Sequence, residues 1–368
     1  MSEDFDKWFD AVLRLNRRPA WLSGDAPHHD VAVSSRARLM RNLAGFPFPG
    51  RCAPRRLEKV QSLVRHELML SPGPLPPGDG RAGGAHSPNR PKTAATDSLP
   101  IFEERKNVSQ AERAMLVGSR LVSPEFLWEA PGRSVFLNAD RSVAIMVNEE
   151  DHLRIQCVTA GLSPETAQLT TQDSERALAK SLEFAQDHEF GYMAASPYNA
   201  GEGLRVGVML HMPALTAERR VSTILETLRK RGFEVRGLLG ERSTGLGAYV
   251  QISTTRRTAG ELILSVRHLI DREREARIRL SPAWIATAVE SALQRTWAKD
   301  GLSLAGATRL LGRLRLGALR GLLDRHPRGL DALLALVCYG DPDKPSANRR
   351  RAHLVRRYLE LTLEWIPA

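Results

Sequence analysis

The sequence predicts an α+β protein, a mixed first part followed by a helical second part, and three observations predict it. Runs rich in β-type residues, DVAVSSRARL, SVFLNADRSVAIMV, LRVGVMLHM, GFEVRGLL and AYVQIST, all lie before Thr258. Segments with apolar residues at helical spacing alternate with them. From about Thr258 onward every apolar segment, from TAGELILSVRHLIDREREARI to NRRRAHLVRRYLELTLEWI, has the helical period and no strand pattern remains. At 368 residues, and with about 150 residues per domain as a guide, the break divides the chain into domains 1–257 and 258–368.

The individual elements follow from local pattern. DFDKWFDAVLRL places Phe5, Trp8, Phe9, Val12 and Leu13 on one helical face. After the strand DVAVSSRARL, the segment APRRLEKVQSLVRHELML reads as a long helix. Residues 71–100, SPGPLPPGDGRAGGAHSPNRPKTAATDSLP, are too poor in large apolar side chains to offset chain entropy and read as a disordered insertion. SQAERAMLVGSRLV is the next helix, and the residues around Asn138 to Arg141 join two strands as a hairpin. LSPETAQLTTQDSERALAKSLEFAQ is a helix with Ser163 as N-cap and Pro164 at its first position; LTAERRVSTILETLRKR is read as one further helix.

Composition excludes several classes. Hydrophobic residues at 42% and charged residues at 26% are ordinary for a folded globular chain. No apolar run reaches membrane-spanning length, and the acidic start MSEDFDKWFD is unlike a secretory signal, so a cytoplasmic protein without a membrane anchor is expected. Cys52, Cys157 and Cys338 are odd in number and lack CxxC spacing, which supports neither a disulfide framework nor a zinc site. The 53 Lys and Arg against 42 Asp and Glu give a net charge of +11. That balance favours anionic partners without choosing among them.

Four segments combine charge with β-type or Gly-rich surroundings. In SSRAR, Ser34 to Arg38, the arginines Arg36 and Arg38 are two apart, so a strand projects both from one face, suited to gripping a polyphosphate. NEEDHLR sets Glu150 close to Arg154. SPYNAGEGLR carries glycines 201 and 203 ahead of Arg205, where backbone N–H groups can approach an anion. RGLLGE adds Arg236 and Glu241. None of these is a Walker A loop or a dinucleotide fingerprint.

In order and spacing these stretches, VAVSSRARLMRNLAGFPFP, VNEEDHLRIQC, FGYMAASPYNAGEGLRVGVMLHMPAL and VRGLLGERSTGLGAYVQIS, resemble the ATP:guanido phosphotransferase family, and within it the bacterial kinases that act on protein arginine. The resemblance runs from about residue 5 to the C-terminus, with the Pro/Gly insertion outside it. It implies a mainly antiparallel sheet flanked by helices, an all-helical C-terminal domain concerned with phosphoarginine binding and dimerisation, and transfer of the γ-phosphoryl group of ATP, with Mg²⁺, to a guanidinium. It implies that Arg36, Arg38, Arg154, Arg205 and Arg236 surround the phosphates, that Glu150 and Glu241 are the base and the orienting carboxylate, and that Ser196 stands beside the acceptor. The nucleotide site it implies spans Ser34, Ser35, Arg36, Ala37 and Arg38; Arg120 and Arg154; Arg205, Val206, Gly207, Val208 and Met209; and Arg236, Gly237, Leu238, Leu239, Gly240 and Glu241.

The chain departs from the family in places. Ser196 stands where the family has a reactive cysteine, which removes a thiolate near the acceptor and predicts a slower enzyme. Glu202 replaces a threonine between the glycines, and Arg120 replaces a histidine that contacts the nucleotide. The RDxxRA mark of the C-terminal phosphoarginine pocket reads ANRRRA, Ala347 to Ala352, so Arg351 remains without the leading pair. Apart from that pocket, Arg349, Arg350, Arg351, Arg356 and Arg357 read as a basic helix face. Only 33 residues precede Ser34, which leaves no room for the domain that covers small guanidino substrates and points to protein substrates with exposed arginines. The resemblance also implies a homodimer, a McsA-like activator and a Clp unfoldase as partners. A nucleotide- or partner-binding protein without transfer and a kinase of a small guanidino metabolite remain alternatives; nucleic acid is disfavoured because the arginines lack interleaved aromatics.

Overall fold

The computed structural model describes residues 19–22, 25–70, 101–104, 110–127, 130–238, 245–298, 300–323, 327–338 and 344–362. The N-terminal helix read from residues 4–15 and the Pro/Gly insertion lie outside them. In chain order the elements are β1 (Ala32–Arg41), α1 (Pro54–Leu70), β2 (Ile101–Glu104), α2 (Gln110–Gly118), β3 (Ser134–Leu137), β4 (Val143–Val147), β5 (Leu153–Ala160), α3 (Pro164–Leu178), β6 (Gln186–Asp187), β7 (Gly191–Tyr192), β8 (Leu204–His211), α4 (Pro213–Ala217), α5 (Val221–Lys230), β9 (Glu234–Gly237) and β10 (Tyr249–Thr254). Five helices follow: α6 (Ala259–Arg279), α7 (Pro282–Ala298), α8 (Leu304–Leu319), α9 (Pro327–Val337) and α10 (Pro345–Thr362).

Eight strands form one sheet in the order β2-β3-β4-β5-β1-β8-β10-β9, and its pairings are antiparallel. β1 is central because it is flanked on one side by β5 and on the other by β8. Both faces are covered, which explains why strands such as VAIMV are apolar throughout rather than alternating. On one face, Ala37, Leu39, Ile155, Val206, Val208 and Ile252 pack against α1, α3, α5 and α6. On the other, Val158, Met209, Ala144 and Met146 join a core with α2 and helices α7 to α10. The helix that opens the C-terminal part, α6, therefore lies on the opposite side of the sheet from the four that follow it.

Several local expectations are corrected. Ser163 is the N-cap of α3, but its hydroxyl makes no capping bond and donates to the Ala160 carbonyl instead (3.3 Å). The helix ends at Leu178, short of the segment read from its period. LTAERRVSTILETLRKR is two helices, α4 and α5, parted at Arg219, whose φ of 58° cannot continue a helix. Edge strand β2 and the β6-β7 ribbon carried no strong sequence signal. Of the arginines read as a basic face, Arg351 is fully buried, its Nε donating to the Val337 carbonyl (3.0 Å) and Nη1 to Asn348 Oδ1 (2.9 Å). Arg356 Nε likewise donates to the Thr296 carbonyl (2.9 Å). Both tie helices together.

The helical layer is fastened to the sheet by buried charge. Arg315 on α8 and Asp331 on α9 pair at 2.8 Å with side chains 0% and 1% exposed. Arg315 also donates to the carbonyls of His29 (2.7 Å) and Asp30 (2.9 Å), just ahead of β1. Arg328 Nη1 reaches the Val33 carbonyl on β1 itself (2.6 Å). Removing one partner leaves a buried uncompensated charge, so Asp331→Ala should lower unfolding free energy by about 3–5 kcal/mol, read from the urea midpoint. A loss below about 1 kcal/mol, the range of an exposed pair, would show that this pair does not hold the layers together.

Candidate active site

The register brings the five sequence-predicted arginines onto one face. Arg38 lies opposite Gln156 of β5 and Arg205 of β8, and Arg36 lies opposite Val158 and Gly207. Arg154 is two residues before Gln156. Arg236 of β9 lies opposite Gln251 of β10, which in turn faces Met209, four residues along β8 from Arg205. Directly paired residues share a side and every second residue repeats it, so all five side chains rise from the face turned towards α9. Gly207 sits in the middle of this array. A Cβ there would stand 2.8 Å from Ser253 Cβ and 3.0 Å from the Ile252 carbonyl oxygen, so the strands approach too closely for any larger residue.

Two cavities meet at Arg38. One, of about 490 Å³, lies between the sheet and α9 and is lined by Arg36, Arg38, Arg120, Arg154, Arg236 and Gln251, with Asp331 and Cys338 on the helical side. The other, of about 910 Å³, opens at the strand ends and is lined by Arg38, Arg205, Glu202, Glu234 and Glu175. Glu202 therefore belongs to the second cavity and is not among the residues lining the first.

The electrostatics of the array favour an anion. Burial and then the neighbouring Arg38, Arg154, Arg120 and Arg205 push the Arg36 guanidinium well below its ordinary pKa, and burial followed by Arg154, Arg205 and Arg236 brings Arg38 down to about 9. Guanidinium groups keep their proton in working conditions. Burial is the larger part of that depression, and the neighbouring arginines add a repulsion that a bound polyanion would relieve. Arg154 Nη1 is 3.4 Å from Glu149 Oε2, and Arg205 Nη1 is 2.5 Å from Glu234 Oε2. The Nε atoms of Arg154 and Arg205 are buried without a hydrogen bond among the described residues.

A carboxylate-bearing turn stands beside the array. Asn148 takes φ of 56°, tolerable for Asn, and its Nδ2 donates to the Leu57 and Gly132 carbonyls at 2.9 Å each, which fixes the turn joining β4 to β5. Asp151 Oδ1 accepts from Asn42 Nδ2 (2.6 Å) and from the Ala195 backbone N–H (2.7 Å). This clamp draws the loop of Ser196 to the turn of Glu150. Burial, then Asp151 and Glu149, raise the Glu150 pKa above the ordinary carboxylate value, against Arg154 and Arg38, which lower it. His152, pulled down to about 4 by burial, is neutral at pH 7, and its Nδ1 accepts the Leu43 backbone N–H (3.1 Å).

The remaining predicted residues separate by face. Ser34 is on the arginine side, where Arg120 Nη1 donates to its Oγ (3.5 Å). Met209 and Leu238 join the core on that side, and Leu238 also lines the smaller cavity. Ser35 faces away, its Oγ donating to the Gly161 carbonyl (2.8 Å) and accepting from the Ser163 N–H (2.9 Å). Ala37, Val206 and Val208 are buried in the opposite core, so their side chains space the arginines and do not reach the cavity. Gly237 pairs with Val250, out of phase with Arg236. Leu239, Gly240 and Glu241 lie outside the described residues. The Gly201 N–H, read as free for an anion, donates to the Tyr192 carbonyl (3.0 Å). Sequence reasoning missed Glu149, Asp151, Asn42 and Glu234. Glu234 had a signal, since strand alternation in FEVRG puts it on the side of Arg236.

Comparison with known proteins agrees with this geometry. Residues 95–276 match the model of the ATP:guanido phosphotransferase C-terminal catalytic domain. A protein-arginine kinase of Moorella thermoacetica is 34% identical over 336 residues, covering 88% of each chain. One from Desulforamulus reducens is 32% identical over 336 residues, covering 88% of this chain and 87% of the other. The crystal structure of a lombricine kinase shares the fold, with a TM-score of 0.52 at 20% identity over 76% of this chain and 80% of that one. Among the described residues no helix is long and apolar enough to cross a membrane. A sheet face set with five arginines beside a clamped carboxylate turn, together with these relatives, shows that the chain belongs to the protein-arginine kinases of the ATP:guanido phosphotransferase family.

Proposed function

We propose that this chain transfers the γ-phosphoryl group of ATP to arginine side chains of proteins, giving ADP and phosphoarginine. The observation that supports this most is the arginine array, whose clustered positive charge suits a polyphosphate. Phosphoryl transfer depends on positioning and on neutralising charge over the phosphate oxygens. In this reading the nucleotide occupies the smaller cavity with Ser34 and Arg120 near it, and its phosphates lie against Arg36, Arg38, Arg154, Arg205 and Arg236. The acceptor arginine enters beside the Glu150 turn and the Ser196 loop clamped to it and meets the phosphates near Arg38, which acts on Glu150. Residues 1–257 carry the chemistry, and 258–368 close the nucleotide cavity.

The acceptor guanidinium is protonated and delocalised, so it must lose a proton as its nitrogen attacks. Glu150 takes that proton and Glu241 fixes the plane of the group. Ser196 contributes a hydrogen bond in place of a thiolate. Mg²⁺ would be held chiefly by the phosphates, with Glu149, which already touches Arg154, as the carboxylate nearest them, and the ion would offset charge on the phosphate oxygens. A homodimer, a McsA-like activator and a Clp unfoldase are the partners this reading carries forward.

Incubation with Mg-ATP and an arginine-rich protein should yield acid-labile phosphate on arginine, detected by mass spectrometry under neutral conditions; nucleotide binding with no product would favour a non-catalytic binder. Because the Glu150 pKa is raised, the deprotonated base forms only above the usual carboxylate range, so kcat/KM should fall on the acid side with an apparent pKa above 4.5. Glu150→Gln should abolish that limb and lower kcat by about 100-fold or more; an unchanged profile would remove Glu150 as the base. Asp151→Ala frees the Ser196 loop and removes the acceptor of the Ala195 N–H and of one N–H of the buried Asn42 amide, with an expected loss of about 1–3 kcal/mol of stability and a fall in kcat with nucleotide affinity retained. Unaltered kcat would show that the clamp does not position the loop.

A further inference from the structure

The arginine face also holds a carboxylate. Glu234 lies opposite Ser253, which lies opposite Gly207, which lies opposite Arg36, so the register sets it in the same row of the sheet as Arg36 and on the same side. Its Oε2 is 2.5 Å from Arg205 Nη1 and 3.3 Å from Arg236 Nη2. It is also the one carboxylate among the main influences on Arg38, where it works against three arginines.

We propose that Glu234 is a resident substitute for phosphate: it holds Arg205 and Arg236 while the array is empty and competes with the nucleotide's phosphates for those two guanidinium groups, which sets nucleotide affinity. The proposal rests on the reading of the array as a nucleotide site. Carboxylate and phosphate offer guanidinium the same kind of acceptor, so one replaces the other without rebuilding the donors. A permanent strut would be buried and saturated, as Asp331 is beside Arg315. Glu234 is 34% exposed, makes both contacts through one oxygen, and lines the open cavity into which it can turn. The pair with Arg236, both side chains about a third exposed, is weak enough to exchange, and Arg205, more buried, is the partner a phosphate must take over.

Isothermal titration of the full chain with ADP and, separately, with adenosine tests this in wild type and in Glu234→Gln. Removing the competing charge should tighten ADP by about two- to fivefold and leave adenosine unchanged, because only the phosphates contest the arginines. Glu234→Asp, too short to bridge both guanidinium groups, should also bind ADP more tightly and serves if the first variant folds poorly. Equal or weaker ADP binding in both variants would overturn the proposal and make Glu234 a strut. An equal gain for adenosine would overturn it too, since the effect would not involve phosphate. Absence of ADP binding by wild type would instead defeat the nucleotide reading on which the proposal stands.

Discussion

Mutual repulsion among arginines is the constraint around which this molecule is arranged. Left to themselves, five long cationic side chains on one face of a sheet would splay into solvent. Here Arg36, Arg38, Arg154 and Arg205 are rooted on interior strands and Arg236 on the edge strand β9, and the depressed pKa values of Arg36 and Arg38 record burial first and then the neighbouring charges. Such an array is stable only because the apolar contacts of two cores, one on each face of the sheet, outweigh it. A polyanion then binds to a site already assembled, which is the kind of preorganisation phosphoryl transfer needs.

The supporting devices act on different parts of that problem. The Arg315–Asp331 pair and the Arg328 contact to Val33 set the helical layer against β1, so the smaller cavity has a roof. Arg41, on the opposite side of β1 from Arg36 and Arg38, pairs with Glu175 and lies over the Tyr192 ring at 3.5 Å, which anchors the loop before β8. Asp151 ties that same loop to the carboxylate turn. Two of the arginines share Glu234 and one pairs with Glu149, leaving Arg36 and Arg38 as the least compensated positions.

Much of this was legible in the sequence because its signals are local. Arg36 and Arg38 two apart on a strand, the hairpin at Asn138 to Arg141 and the unbroken helical period after Thr258 each declare themselves within a dozen residues. What the sequence concealed depends on register and tertiary contact. No local pattern says that Ser35, Ala37, Val206 and Val208 turn into the far core while their neighbours line a cavity; pairing with β5, β8 and β10 decides it. Arg351 looks like a surface charge until the Val337 carbonyl and Asn348 are brought to it by the packing of α9 and α10. Arg219 breaks a helix that its apolar period would continue, because α4 is held by Glu273 of α6, whose carboxylate accepts the Ala214 and Leu215 N–H groups.

The most direct test of the account is a crystal structure of the chain with ADP bound. Phosphate oxygens are expected within hydrogen-bonding distance of Arg36 and Arg38, with the base enclosed between the sheet and α9. Phosphates bound elsewhere, with neither Arg36 nor Arg38 contacting a phosphate oxygen, would contradict it.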